Sequence, residues 1–109
     1  MAESPLPKRL KEARLAAGLS QRQLGIAAGI DEFSASPRIN QYETGKHTPD
    51  FTTLKQLAKV LSVPTAYFYA EDDRLAEIIR IFSGLRFEKQ SNIYRLILRR
   101  YTKKHSPSS

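Results

Sequence analysis

The stretch GLSQRQLGIAAGIDEFSASPRINQYETGK, Gly18 to Lys46, decides the fold. It opens on a glycine suited to the left-handed residue just past a helix end. Ser20-Gln21-Arg22-Gln23 then reads as a capping box. The Ser20 hydroxyl can accept from the Gln23 amide, and the Gln23 side chain can reach back to the Ser20 N–H. This predicts a short helix running to about Ala28, burying Leu24, Ala27 and Ile26, and ended by Gly29. Ile30 to Ala35 reads as a loop, and Ser36-Pro37 as an N-cap with proline at the first helical position. The next helix then spans Pro37 to Thr44 and stops at Gly45. Two short helices joined by a glycine-containing turn suit a helix-turn-helix. Gly25, Ala28 and Gly29 offer small residues where the two backbones would cross. A glycine inside a helix costs about 1 kcal/mol relative to alanine, and close approach of the following helix is the expected reason for Gly25.

Upstream, Leu6, Leu10, Ala13 and Ala17 share one face of a helix over 6–17, with Lys8, Arg9, Lys11 and Glu12 off it. Downstream, Asp50 caps a fourth helix carrying Phe51, Leu54, Leu57, Ala58 and Leu61 at helical spacing. Ser62-Val63-Pro64 ends it, and a short fifth helical turn holds Tyr67 and Phe68. Past Glu71-Asp72-Asp73, a sixth helix carries Leu75, Ile78, Ile79, Phe82 and Leu85. A seventh, from about Glu88 to Tyr101, carries Ile93, Tyr94, Leu96, Ile97, Leu98 and Tyr101. No strand alternation, hairpin dipeptide or internal repeat interrupts this pattern, so the chain reads as all-α. The polar tail 102–109 is expected to be disordered.

At 109 residues the chain supports one compact domain with an appendage. Cysteine is absent, which removes disulfides and Cys-based metal sites. No segment has the apolar core of a signal peptide or the length to span a membrane. The expectation is an intracellular, cytoplasmic protein with no membrane partner. The net charge of +7 is unevenly spread: residues 1–73 carry nine Lys/Arg and nine Asp/Glu, and residues 74–109 carry nine Lys/Arg and two Glu. Charge alone therefore supports phosphate binding only weakly in the N-terminal part. His47 and His105 lack ligand spacing, and no nucleophile motif or phosphate-cradling glycine loop occurs. No enzyme activity, metal or cofactor is expected.

Leu10-Lys11-Glu12-Ala13-Arg14, Gly18-Leu19-Ser20-Gln21, Leu24, Ala28-Gly29, Ile39-Asn40-Gln41-Tyr42-Glu43-Thr44-Gly45-Lys46, Pro49, Leu54 and Leu57-Ala58 together resemble the phage Cro and repressor type of helix-turn-helix, the XRE family. The resemblance covers about residues 6–70. It implies a five-helix Cro/repressor-like DNA-binding domain over 1–70, followed by two additional C-terminal helices over 71–101. One departure stands out: Gly29 to Ile39 holds about four residues more than the short turn usual in the family, all within Asp31–Ser36.

The resemblance implies a recognition helix over about 36–44, with Ser36, Pro37 and Gln41 as base readers. Pro37 could read only through apolar contact. The Gln41 amide suits a bidentate pair with adenine N6 and N7. Arg38 can either read guanine or hold a phosphate, and Asn40 beside it faces either the DNA or solvent. Gln21, at the start of the second helix, and Lys46, just past the third, are candidates for phosphate. Asp31 and Glu32 are expected to point away from DNA. Arg14 and Glu43 resemble the family's internal ion pair, the alternative being an ordinary surface pair.

The apolar stripes beyond residue 71 exceed what a lone surface helix exposes. Leu75, Ile78, Ile79, Phe82, Ile93, Ile97 and Tyr101 form either a subunit interface or a face that folds back on the core. The function implied is a sequence-specific transcriptional regulator, a repressor binding a palindromic operator in double-stranded DNA as a homodimer. The alternative is an antitoxin-like interaction protein that binds a protein partner through its C-terminal helices and autoregulates by DNA binding.

Overall fold

Leu10, Leu24, Ile39, Leu54, Leu57 and Phe68 are completely withdrawn from solvent, each contributing about 1.5–3 kcal/mol of apolar burial. They come from five successive helical elements. The computed structural model describes residues 4–105, with side chains described to residue 103. The elements are α1 (Leu6–Ala16), α2 (Gln21–Ala27), α3 (Glu32–Glu43), α4 (Phe51–Leu61), a 3-10 turn (Thr65–Tyr69), α5 (Asp73–Ser83) and α6 (Phe87–His105). No strand occurs among the described residues. The class is all-α: four helices and the 3-10 turn close one core, and two further helices follow.

The caps follow the sequence. Ser20 Oγ accepts from Gln23 N at 3.0 Å, and Gln23 Oε1 accepts from Ser20 N at 2.8 Å. Asp50 accepts from Thr53 N at 2.8 Å at the start of α4. Gly29 sits at φ +92° in the turn between α2 and α3, a conformation costly for any residue with a Cβ.

Some burial assignments change. Ala28, one turn past Leu24, is buried in place of Ala27 and Ile26, and Ala17 is exposed. Phe51 is exposed, with the Lys55 ammonium 5.7 Å from its ring centroid. Arg9, expected on the outer face of α1, is 2% exposed. Its guanidinium donates to the carbonyls of Ala70 at 2.9 Å and Glu71 at 3.1 Å. It also pairs with Glu12 at 3.0 Å and Asp73 at 2.9 Å. A partner at each of its three nitrogens is what makes this buried guanidinium tolerable.

The largest correction concerns α3. It starts at Glu32, not at Pro37, so the segment expected as a loop is its first turn. Asp31 is the N-cap and accepts from Phe33 N at 3.1 Å. Ser36 is therefore not a cap, and Pro37 lies inside the helix. The turn between α2 and α3 is short, and the four extra residues lengthen the helix by one turn. Burial of Ala35 against α2 fixes that register.

Beyond the core, α5 packs on the 3-10 turn through buried Ala76. Ile79 and Phe82 are half-buried, and Leu75 and Ile78 remain exposed. α6 continues to His105, so Thr102–His105 are helical and not tail. No proline or glycine interrupts the helix before Pro107; residues 106–109 lie outside the described ones. No other helix lies along α6 among the described residues. Its Ile93 is half-buried, while Tyr94, Leu96, Ile97, Leu98 and Tyr101 are exposed. The molecule is accordingly long, 63 × 36 × 21 Å.

Candidate nucleic-acid interface

α2 and α3 form the most intimate helix pair. A Cβ on Gly25 would lie 2.6 Å from Ala35 Cβ and 2.9 Å from its Cα. Only glycine fits there without displacing the α3 backbone. The inner side of α3 carries Ala35, Ile39 and Tyr42, all buried. At 3.6 residues per turn, the opposite side carries Phe33, Pro37, Asn40 and Thr44. All four are exposed. Arg38 lies exposed on one flank, with half-buried Ser34 and Gln41 between it and the stripe. Half-buried Ser36 and Glu43 lie on the other flank.

The lower half of α3 is fixed by charge. Arg14 Nε donates to Glu43 Oε2 at 2.6 Å, and Arg14 Nη2 to Glu43 Oε1 at 3.1 Å. A third guanidinium donor meets the Leu19 carbonyl at 2.9 Å. Side-chain exposure is 10% for Arg14 and 3% for Glu43. This two-pronged geometry is the strong form of an ion pair. The hydrogen bonds that Arg14 donates to Glu43 raise its pKa above the ordinary value despite burial.

Gln21 belongs to the same network. Its Nε2 donates to Asn40 Oδ1 and to Glu43 Oε1, each at 3.2 Å. The amide protons proposed for a phosphate are thus committed within the protein. Of the backbone N–H groups in the first turn of α2, that of Gln23 is already taken by the Ser20 hydroxyl. Asn40 accepts from Gln21 while standing at an exposed position.

The remaining candidates differ in exposure. Arg38 and Lys46 are exposed and make no ion pair among the described residues. Gln41 shares a shallow depression with Arg38, His47 and Thr48. Asp31 and Glu32 are both exposed, with Asp31 occupied as a cap and Glu32 3.7 Å from Arg22. Ser36, Pro37, Arg38, Asn40 and Gln41 are therefore carried by one helix, although Ser36 faces the Glu43 flank. Sequence reasoning missed Phe33, because a loop reading gives no face on which to place it. The Asp31-Glu32 pair, an acidic cap and first turn, was the available signal.

No group of His, Cys, Asp and Glu capable of holding a metal occurs among the described residues. None of their helices is long and apolar enough to cross a membrane. The helix-turn-helix family profile matches residues 10–68, more than half of the chain. The chain belongs to the XRE-type helix-turn-helix family. This is a family of DNA-binding transcriptional regulators, and DNA binding in transcription regulation is the activity that goes with it. Among similar proteins is the uncharacterized HTH-type transcriptional regulator RghRB of Bacillus subtilis (strain 168), 42% identical over 62 residues. That alignment covers 56% of this chain and 42% of the relative, so the chain spans less than half of that protein. The crystal structure of the transcriptional regulator BswR superposes with a TM-score of 0.81 at 51% identity. It covers 86% of this chain and 93% of that one. Such coverage exceeds what residues 1–70 could supply, so the likeness extends past the core into the C-terminal helices.

Proposed function

We propose that this chain is a sequence-specific transcriptional repressor that binds a palindromic operator as a homodimer, in the cytoplasm and without catalytic activity or cofactor. The observation that carries this reading is the two-sidedness of α3. Its inner side is locked by Gly25, Tyr42 and the Arg14–Glu43 pair, while the stripe of Phe33, Pro37, Asn40 and Thr44 on its outer side is exposed. A helix held this way can lie in the major groove with Gln41, Asn40, Pro37 and Arg38 toward the bases. Lys46 then holds a phosphate and helps set the register. Ser36 supports this helix from its flank. Arg14 and Glu43 orient it and touch no DNA.

Two-fold symmetry would come from residues 71–105. Leu75, Ile78, Ile97 and Tyr101 are exposed, beside half-buried Ile79, Phe82 and Ile93. Repression follows from occupancy of promoter DNA. Residues 1–70 form the DNA-binding domain in this reading, and the following helices the association element.

The same exposed faces favour a second reading, in which α5 and α6 hold a different protein and DNA binding is autoregulatory. Selection of bound sequences from a randomised duplex pool tests the first. A two-fold symmetric motif with fixed half-site spacing is expected, and Gln41→Ala should flatten preference at one base pair per half-site. Enrichment of a single, unpaired half-site by a monomer would reject the dimer. Failure to enrich any motif would reject sequence-specific recognition.

A further inference from the structure

Phe33 is 85% exposed, more than any other large apolar side chain of the described residues. It stands at the second position of α3, held there by the Asp31 cap on its own N–H. One turn on, along the same stripe, lies exposed Pro37. This stripe faces directly away from Ala35, Ile39 and Tyr42, so neither side chain has any route into the core. A phenyl ring and a pyrrolidine ring side by side make an apolar edge on an otherwise polar helix face. Exposed Arg38 flanks that edge.

An apolar edge of this kind gains nothing from phosphates or from hydrogen-bonding base edges. The major groove offers one apolar feature, the 5-methyl group of thymine. The N-terminal residues of a recognition helix are those that reach base edges, and the extra turn of α3 puts Phe33 there. We infer that Phe33, with Pro37 behind it, is a specificity-determining residue that reads thymine methyl groups at the end of each half-site. The inference rests on α3 being the major-groove helix. It commits the occupant of this edge to DNA, not to a second copy of the chain.

Deoxyuridine removes the thymine methyl and leaves the hydrogen-bonding pattern of the base pair unchanged, so it isolates this contact. A duplex carrying the motif selected by the full chain would be made with each thymine in turn replaced by deoxyuridine. Affinities of the full-length protein, Phe33→Ala and Phe33→Leu would be compared by fluorescence anisotropy. At one or two positions per half-site the replacement is expected to weaken the unaltered protein about fourfold, the equivalent of one buried methyl group. F33A should bind thymine and deoxyuridine duplexes alike, and F33L should keep part of the discrimination. Equal affinity of the unaltered protein for both duplexes would overturn the inference while leaving α3 as a reader of polar base edges. An unchanged thymine preference in F33A would do the same. If no sequence is enriched in the selection, α3 is not the reader, and the inference falls with that reading.

Discussion

Removing one partner of the Arg14–Glu43 pair leaves the other charge inside the protein with too few partners. In Glu43→Ala, Arg14 would keep only the Leu19 carbonyl. A loss of about 3 kcal/mol or more is expected in denaturant unfolding; a loss below ~1 kcal/mol would mark the pair as an ordinary surface contact. Asp73 gives a complementary case at the surface. Hydrogen bonds from Lys8 and Arg9 hold its carboxyl below its ordinary 3.8. A carboxyl lowered by folding stabilises the protein above the unfolded value and stops doing so as pH falls through the folded one. The difference in melting temperature between the native chain and Asp73→Asn should therefore shrink between neutral pH and pH values below about 4. A gap that stays constant into acid would show that the carboxylate charge is not what matters there.

Elements were legible where local chemistry agreed with packing. The Ser20 box, the Asp50 cap and the glycine stops set α2 and α4 within a residue or two. The start of α3 was not legible, because two signals competed. Ser36-Pro37 has the form of a cap and first residue, whereas Asp31-Glu32 also has the form of a helix start. The choice is made at a distance, by Ala35 seated on Gly25. Arg9 was missed for a similar reason: the carbonyls that receive it lie some sixty residues away. The polar candidates on α3 keep the same helix face as expected from the sequence, since the second half of the helix has the same phase in either reading. Gln21 looked free only because its contacts with Asn40 and Glu43 cross between elements. Two substitutions probe the α2–α3 pair. Gly25→Ala forces the helices apart and should cost about 1–3 kcal/mol. Pro37→Ala restores a backbone donor toward the Phe33 carbonyl and should raise stability by up to about 3 kcal/mol. A thermal melt unmoved by Pro37→Ala would mean that α3 already bends without loss at this point.

At the scale of the whole molecule, the exposed apolar faces and the charge lie at the same end. The entire excess of +7 belongs to residues 74–109, beside the exposed Ile78 and Ile97. If these faces join two copies, Ile97→Glu should convert a dimer to a monomer in sedimentation while leaving helicity unchanged. A dimer that survives would place the symmetry axis elsewhere. DNA affinity should fall steeply with salt, with a logarithmic slope near −0.9 per phosphate neutralised. A flat response would mean that Arg38, Lys46 and the C-terminal cations touch no backbone.

The grip of Arg9 on Ala70, Glu71 and Asp73 has a consequence for how such proteins can be recombined. A chimaera that joins this N-terminal half to a foreign C-terminal half at Phe68 would keep Glu12 but lose the Asp73 carboxylate, and would leave the placing of the two carbonyls under Arg9 to the foreign backbone. A crossover after Asp73 would carry all its carbonyl and carboxylate partners along. The natural seam for exchanging operator preference between relatives therefore lies a few residues beyond the end of the family profile. Gene fusions cut at the profile boundary should express poorly, while those cut after Asp73 should fold.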